Sequence, residues 1–384
     1  MHNMSCETKL GYDDITIVPE PISNISSRAQ CFCRDKNFQL PIFTAPMDGV
    51  IDLDTKENFV AKGINTVLPR TIPFDCRITQ LYSTIPNAFV AFSLQEAFYL
   101  LLDQTAFEKE IKALRVDMVN QYRQWHICID IANGHMEKLL NTIRKIKNTY
   151  GDRVVIMSGN IANPKTYELY EQAGCDYVRC NIGSGSRCTT SSNLGLHYPC
   201  FSLLKEVWEE KQRINGKCKI IADGGIKGYR DVQKALLYAD YVMIGGLFNK
   251  AIDSAGTPVY GKSYWKLFGK QVLNPFKTLF TYGKVVKRKD YENVLKLIKK
   301  GKLEVWKEFY GMSTKIAQAK MNPDAKLKTS EGMVKRQKVE YSIAQWVENE
   351  IDYLRSVMSY TNSHDLEEYK NSKWVRIAYR AFND

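Results

Sequence analysis

Short apolar runs recur along the chain, each too brief for a helical face and most closed by a polar or glycine-bearing turn. Eight of them read as strands: 40–47, 64–68, 88–92, 126–131, 154–157, 177–180, 219–222 and 241–244. Runs with little apolar–polar alternation are what strands buried on both faces look like. Between them lie stretches whose apolar positions return at helical spacing, among them 53–62, 136–149, 164–172 and 229–238. Such alternation predicts an α/β fold with a parallel sheet, and eight units predict closure into a (β/α)8 TIM barrel.

The strands end in residues suited to a site: Asp48, Arg70, Ser93, Asp130 with Asn133 and Gly134, Asn160, Cys188, Asp223 and Gly245. A barrel of this kind builds its site at the C-terminal ends of its strands. The loop after 177–180 reads Asn181-Ile182-Gly183-Ser184-Gly185-Ser186-Arg187-Cys188-Thr189-Thr190. Its glycines let the chain turn tightly and aim N–H groups at an ion, and Cys188 sits where a thiolate reaches a bound substrate. Taken alone, a Gly/Ser turn with a buried thiol accounts for it equally well. Two later strand ends, Asp223-Gly224-Gly225 and Gly245-Gly246, tip the balance, because glycine N–H groups there make a phosphate site.

With 384 residues and 44% hydrophobic content, the chain can bury one large core or a barrel carrying insertions. The net charge of +12 is concentrated: residues 261–308 hold thirteen Lys or Arg against four Asp or Glu. That stretch is a local device or a solvated surface. Tyr291, Val294, Leu295 and Ile298 share one helical face, which predicts a surface helix docked on the barrel. The rival is a barrel retired from catalysis that holds nucleic acid through Lys287-Arg288-Lys289 and Lys299-Lys300-Gly301-Lys302, with Tyr282, Tyr291 and Trp306 for stacking. The thiol and carboxylate of a reactive site argue against that partner. Ten cysteines lack zinc-ligand pairing, and Cys31-Phe32-Cys33 is too tight for one, so reduced thiols in the cytoplasm are expected. His126 and His135 read as strand and loop residues rather than ligands. Neither a signal-type apolar segment nor a membrane-length one is expected.

Taken in order, the motifs resemble those of the IMP dehydrogenase and GMP reductase family. They are Tyr12-Asp13-Asp14-Ile15, Ser27-Arg28, Ala45-Pro46-Met47-Asp48, Asp130-Ile131-Ala132-Asn133-Gly134, the Cys188 loop, Asp223-Gly224-Gly225, Gly245-Gly246, Phe309-Tyr310-Gly311-Met312-Ser313 and Ser330-Glu331-Gly332. The resemblance implies one catalytic domain over 1–384, without the family's regulatory domain pair because Arg70 and Ala88 are too close to admit it. Within it lie a basic insertion at 262–303 and a mobile active-site flap at 309–335. Dehydrogenases bring an Arg-Tyr pair on the flap to activate water; between Met312 and Glu331 this chain has neither residue type. Phe309-Tyr310-Gly311-Met312-Ser313 and Cys188-Thr189-Thr190 look like the reductase forms.

The reductase likeness implies NADPH-dependent deamination of GMP to IMP through a thioimidate on Cys188, with Thr190 and Glu331 as the proton relay. Ser186, Asp223, Gly224, Gly225, Gly245, Gly246, Gly311, Met312, Ser313, Lys328 and Gly332 would hold the nucleotide. Asp130, Ile131, Ala132, Ile182 and Gly183 would line the cofactor, with Ser27 and Arg28 at its adenosine-phosphate end, supplied by a neighbouring subunit of a homotetramer, and Ser359 and Tyr360 as a further cofactor contact. A potassium-like ion would sit at Gly183, Gly185 and Cys188. Three features depart from the reductase pattern: the Gly183-Ser184-Gly185-Ser186 and Ala45-Pro46-Met47-Asp48 spellings, Lys328 where arginine is usual, and Ser191 where a basic residue is usual. With the long basic insertion they leave room for a modified or deoxy purine nucleotide, or for IMP dehydrogenase.

Overall fold

A computed structural model describes residues 8–81, 88–103, 124–185, 190–256, 258–260, 288–321, 329 and 332–377. After a short strand β1 (Ile15–Ile17) come eight parallel strands: β2 (Ile42–Thr44), β3 (Thr66–Leu68), β4 (Ala88–Phe92), β5 (Trp125–Asp130), β6 (Val154–Ile161), β7 (Tyr177–Cys180), β8 (Lys219–Asp223) and β9 (Tyr241–Ile244). Their order is β2-β9-β8-β7-β6-β5-β4-β3. The two ends of that row meet at a parallel bridge between Phe43 and Asn65, where Asn65 N–H donates to Ile42 O and Thr44 N–H to Asn65 O, each at 3.0 Å. The eight strands thus form the expected (β/α)8 TIM barrel.

Side chains alternate in and out along each strand. Phe43, Val67, Phe89, Ala91, Cys128, Met157, Ile221 and Met243 fill the interior, while Val90, Ile127, Ile129, Val178, Ile220 and Val242 face the surrounding helices. Tyr177 and Tyr241 join Phe43 and Phe89 at the N-terminal floor, with Phe43–Tyr241 centroids at 5.0 Å and Phe89–Tyr177 at 5.4 Å. Aromatic rings plug that end, so the interior opens only towards the strands' C-termini. β6 runs four residues past the expected end at 157. Ser158 is polar yet fully buried, and its hydroxyl donates to Ile129 O (3.2 Å), which satisfies it inside the sheet.

Helices Glu137–Tyr150, Thr166–Gln172, Cys200–Ile214, Tyr229–Ala235 and Ile343–Tyr360 cover the outside. Beyond β9 a small antiparallel sheet follows: β10 (Pro258–Tyr260), β11 (Val305–Tyr310) and β12 (Val334–Lys338), with β11 central. Helix Arg288–Lys299 docks through Leu295 onto Leu303, Val305 and Val339 of this lobe, leaving Lys296, Lys299 and Lys300 in solvent. The expected helix is present, seated on the lobe beside the barrel. Most of the basic stretch before it, 261–287, lies outside the described residues. The last strand, β13 (Trp374–Arg376), pairs antiparallel with β1.

Candidate functional site

The C-terminal strand ends surround a pocket of about 420 Å³. Its floor is set by the strand alternation. Two residues above the inward Cys128, Tyr177 and Ile221 stand Asp130, Arg179 and Asp223, so an arginine and two carboxylates form one layer inside the barrel. Arg179 Nη1 donates to Asp130 Oδ1 (2.6 Å), and its Nη2 and Nε reach Asp223 Oδ2 at 2.8 and 2.9 Å. Burial disfavours the guanidinium charge, but the carboxylates of Asp223 and Asp130 outweigh it and hold the pKa well above its ordinary value. Asn160 Nδ2 donates to the same Asp223 oxygen (2.7 Å). Asp223 is therefore oriented by three donors on Oδ2, while Oδ1 accepts from none of the described residues. An aligned carboxylate at a pocket wall suits a diol or similar donor pair.

Gly224 and Gly225 follow at φ +110° and +76°, a region side chains avoid. A Cβ on Gly224 would come within 2.9 Å of Ser184 Oγ, and one on Gly225 within 2.8 Å of Cys200 Sγ. Close packing of the β7 and β8 loops thus requires glycine here and leaves backbone N–H groups at the pocket wall. Gly245 and Gly246 continue that wall from β9, and Gly311, Met312 and Ser313, at the end of β11, face it. Arg70 from β3 and Asp130, Ile131 and Ala132 from β5 complete the opposite side.

Of the residues expected at the site, Asp130, Ile131, Ala132, Gly185, Asp223, Gly224, Gly225, Gly245, Gly246, Gly311, Met312 and Ser313 line this one pocket. Ile182 and Gly183 lie just before it on the β7 loop. Thr190 opens a short helix, Thr190–Leu194, and the hydroxyl of the next residue, Ser191, donates to Gly183 O (3.0 Å). Gly332 lies just before β12. Ser186, Cys188, Lys328 and Glu331 lie outside the described residues.

Ser27, Arg28, Ser359 and Tyr360 are not at the pocket. Arg28 pairs with Asp352 (3.1 Å) and reaches Ser356 (3.4 Å) on the helix that ends in Ser359 and Tyr360. That helix runs back towards the barrel floor: just after it, Asp365 bridges Phe32, and Lys370 pairs with Asp240, which precedes β9. His126 packs against Phe89 inside the sheet (5.1 Å), and His135 links Thr166 Oγ1 and Ala162 N–H, each at 3.0 Å. Among the described residues no cluster of His, Cys, Asp or Glu is placed to hold a metal ion, and no helix is long and apolar enough to cross a membrane.

Arg179 escaped the sequence pattern, since one charge inside Tyr177-Val178-Arg179-Cys180 passes for part of an apolar run. Its signal was parity: a strand buried on both faces that carries arginine must supply carboxylates to it from neighbouring strands.

Fold and pocket define a (β/α)8-barrel protein whose glycine-walled site, with a charged floor of Asp130, Arg179 and Asp223, opens at the strands' C-terminal ends. The family model described as IMP dehydrogenase / GMP reductase domain matches residues 9–303. GMP reductase of Vibrio atlanticus (strain LGP32) is 32% identical over 279 residues, covering 68% of this chain and 76% of the relative. The GMP reductase of Aliivibrio fischeri (strain ATCC 700601 / ES114) is likewise 32% identical with the same coverage, and that of Vibrio campbellii 30%. The chain belongs to the IMP dehydrogenase / GMP reductase domain family.

Proposed function

We propose that the protein is a GMP reductase, converting GMP and NADPH to IMP, ammonia and NADP in the cytoplasm. One observation carries this reading furthest. The pocket wall formed by Asp223, the paired glycines and Gly311–Ser313 ends at Gly185, only three residues before Cys188. Three residues span at most about 10 Å, a reach that supports assigning the Cys188 thiol to this mouth in the proposed reading. Support for the reductase branch comes from the named relatives and from the interval 313–330, which has no Arg-Tyr pair to activate water for a dehydrogenase.

Asp223 would accept the ribose hydroxyls through Oδ1, held in aim by Arg179 and Asn160. N–H groups around Gly224, Gly225, Gly245 and Gly246, with the Ser186 hydroxyl, would take the phosphate. Met312, Ser313, Lys328 and Gly332 would read the base. The Cys188 thiolate forms a bond to C2; the C2–N bond breaks as the amino group leaves, protonated through Thr190 and Glu331. When bound, a nicotinamide dinucleotide would supply hydride to C2, and breaking the C–S bond would return the Cys188 thiolate. Asp130, Ile131, Ala132, Ile182 and Gly183 would hold that cofactor; the polar wall from Arg70 to Asp130 fits its ribose and phosphates. Carbonyls of Gly183 and Gly185 suit a monovalent cation, with the Ser191 hydroxyl already on the first of them.

Mixing the protein with GMP and NADPH should consume nicotinamide absorbance and release ammonia, and Cys188→Ser should lower that rate by about a thousandfold or more. The Gly183-Ser184-Gly185-Ser186 spelling favours the second reading, IMP dehydrogenase. Turnover with IMP and NAD, and none with GMP and NADPH, would establish it instead.

A further inference from the structure

One ammonium group of this chain is surrounded as a metal ion is. Lys307 on β11 is buried, and five oxygens of the turn after helix Gly246–Asn249 converge on its Nζ. They are Ser254 O (2.6 Å), Ala251 O (2.7 Å), Ser254 Oγ (3.1 Å), Ile252 O (3.2 Å) and Ala255 O (3.4 Å). An ammonium has three N–H donors, so five close oxygens exceed what hydrogen bonding can use and amount to a coordination shell. No described carboxylate lies within ion-pair distance of Nζ; Asp253, in the same turn, and Asp52 act on it from further out. The buried Lys211 and Lys370 differ, since both meet Asp240, at 2.8 and 2.7 Å. Neutral carbonyl oxygens gathered about one positive charge are how a protein backbone replaces the hydration shell of potassium.

The turn is held in shape by bonds that do not involve Lys307. Ile252 N–H donates to Tyr341 O (2.8 Å), Ala255 N–H to Val50 O (3.0 Å), and Ser254 Oγ to Ala251 O (2.9 Å). We propose that the turn 251–255 is a monovalent-cation site whose resident ion is the Lys307 ammonium, and that this tethered ion positions residues 311–313 at the pocket. Gly311 comes four residues after Lys307, so anchoring the strand here fixes where its end enters the site. The site is separate from the Gly183 and Gly185 loop after β7. Lys307 acts as a positioning residue. The cation site needs no assumption about substrate; its effect on nucleotide affinity rests on the proposed function.

The experiment is a chemical rescue at about pH 6, where a free amine is fully charged. Lys307→Ala empties the oxygen cage, whereas Lys307→Met fills it with an apolar chain, and both should melt below the parent. Exchanging choline chloride for ammonium chloride at about 100 mM should raise the melting temperature of Lys307→Ala by about 2 °C or more beyond any change in the parent. Potassium should act in the same sense, and Lys307→Met should gain nothing beyond the parent. IMP affinity of Lys307→Ala, read by titration calorimetry, should be about tenfold weaker in choline and return to within about threefold of the parent in ammonium. No gain in Lys307→Ala, or an equal gain in all three proteins, overturns the cation site. Recovered melting without recovered IMP affinity overturns the positioning role. If Lys307→Ala is obtained only unfolded, refolding it in each salt reads the same contrast, and failure in both overturns the site. A parent that binds no purine nucleotide fails the proposed function, and the melting temperatures still decide the cation site.

Discussion

At the scale of single residues, Glu350 is a carboxyl placed where charge is least welcome. It is fully buried on helix Ile343–Tyr360, accepts from Gln233 Nε2 (3.1 Å), and its other oxygen has no donor among the described residues. Burial pushes its pKa well above the ordinary carboxyl value, so the folded protein holds it neutral. Because the folded pKa is raised, its stabilising contribution is complete below the unfolded pKa and is lost as pH rises through the folded one. Glu350→Gln keeps the shape and removes the titration. The variant should melt about 2–4 °C above the parent at pH 8 and show no advantage at pH 4, as read by thermal unfolding. A parent equally stable at both pH values would remove the argument. Arg179 is the opposite case, a buried charge kept because two carboxylates meet it. That contrast between a buried carboxyl held neutral and a buried charge that is paired has no counterpart in hydropathy. Arg179 sits in an apolar run and Glu350 among Glu348, Asn349 and Asp352, and only their spatial partners show which buried group stays charged.

Among elements, β11 links the lobe to the site. Lys307 on β11 is buried, with Nζ at 2.7 Å from Ala251 O, 2.6 Å from Ser254 O and 3.1 Å from Ser254 Oγ. The strand is thereby pinned to the turn after β9, and its far end carries Gly311–Ser313 into the pocket. Lys320 and the Tyr310 hydroxyl both donate to Asp48 Oδ2, at 2.7 and 2.8 Å, which ties helix Lys315–Met321 to the end of β2. Lys307→Met leaves those carbonyls unpaired and should cost about 2–4 kcal/mol in urea unfolding, with a matching loss of activity. Burial lowers the Lys307 pKa from 10.5 to about 7. The unfolded chain therefore binds the extra proton between those values, and the parent gains stability as pH climbs through that window. The gap between parent and variant should widen from pH 7 to pH 9; a constant gap would count against the burial argument. The barrel strands were legible from their apolar runs. β10, β11 and β12 were not: Val334–Lys338 carries three basic residues in five and stays mostly exposed, so no apolar run marks it.

For the whole molecule, the distance between the pocket and the group formed by Ser27, Arg28, Ser359 and Tyr360 makes a prediction about assembly. If that group serves the cofactor, it does so in a neighbouring subunit, and the active unit is an oligomer, expected to be a tetramer. Specific activity should then fall on dilution in step with dissociation seen by sedimentation; activity constant across a monomer transition would break the link. The sequence by itself determined the barrel, its eight strand runs and the glycine turns at its mouth. Those follow from local terms, since apolar runs, helical periodicity and the glycine requirement at positive φ act within a few residues. Only the tertiary structure decided which charges meet. Asp130, Arg179 and Asp223 lie 49 and 44 residues apart along the chain, and closure of the sheet brings them into one layer. The energy of a buried ion pair depends on distance and desolvation in space, which separation along the chain does not record.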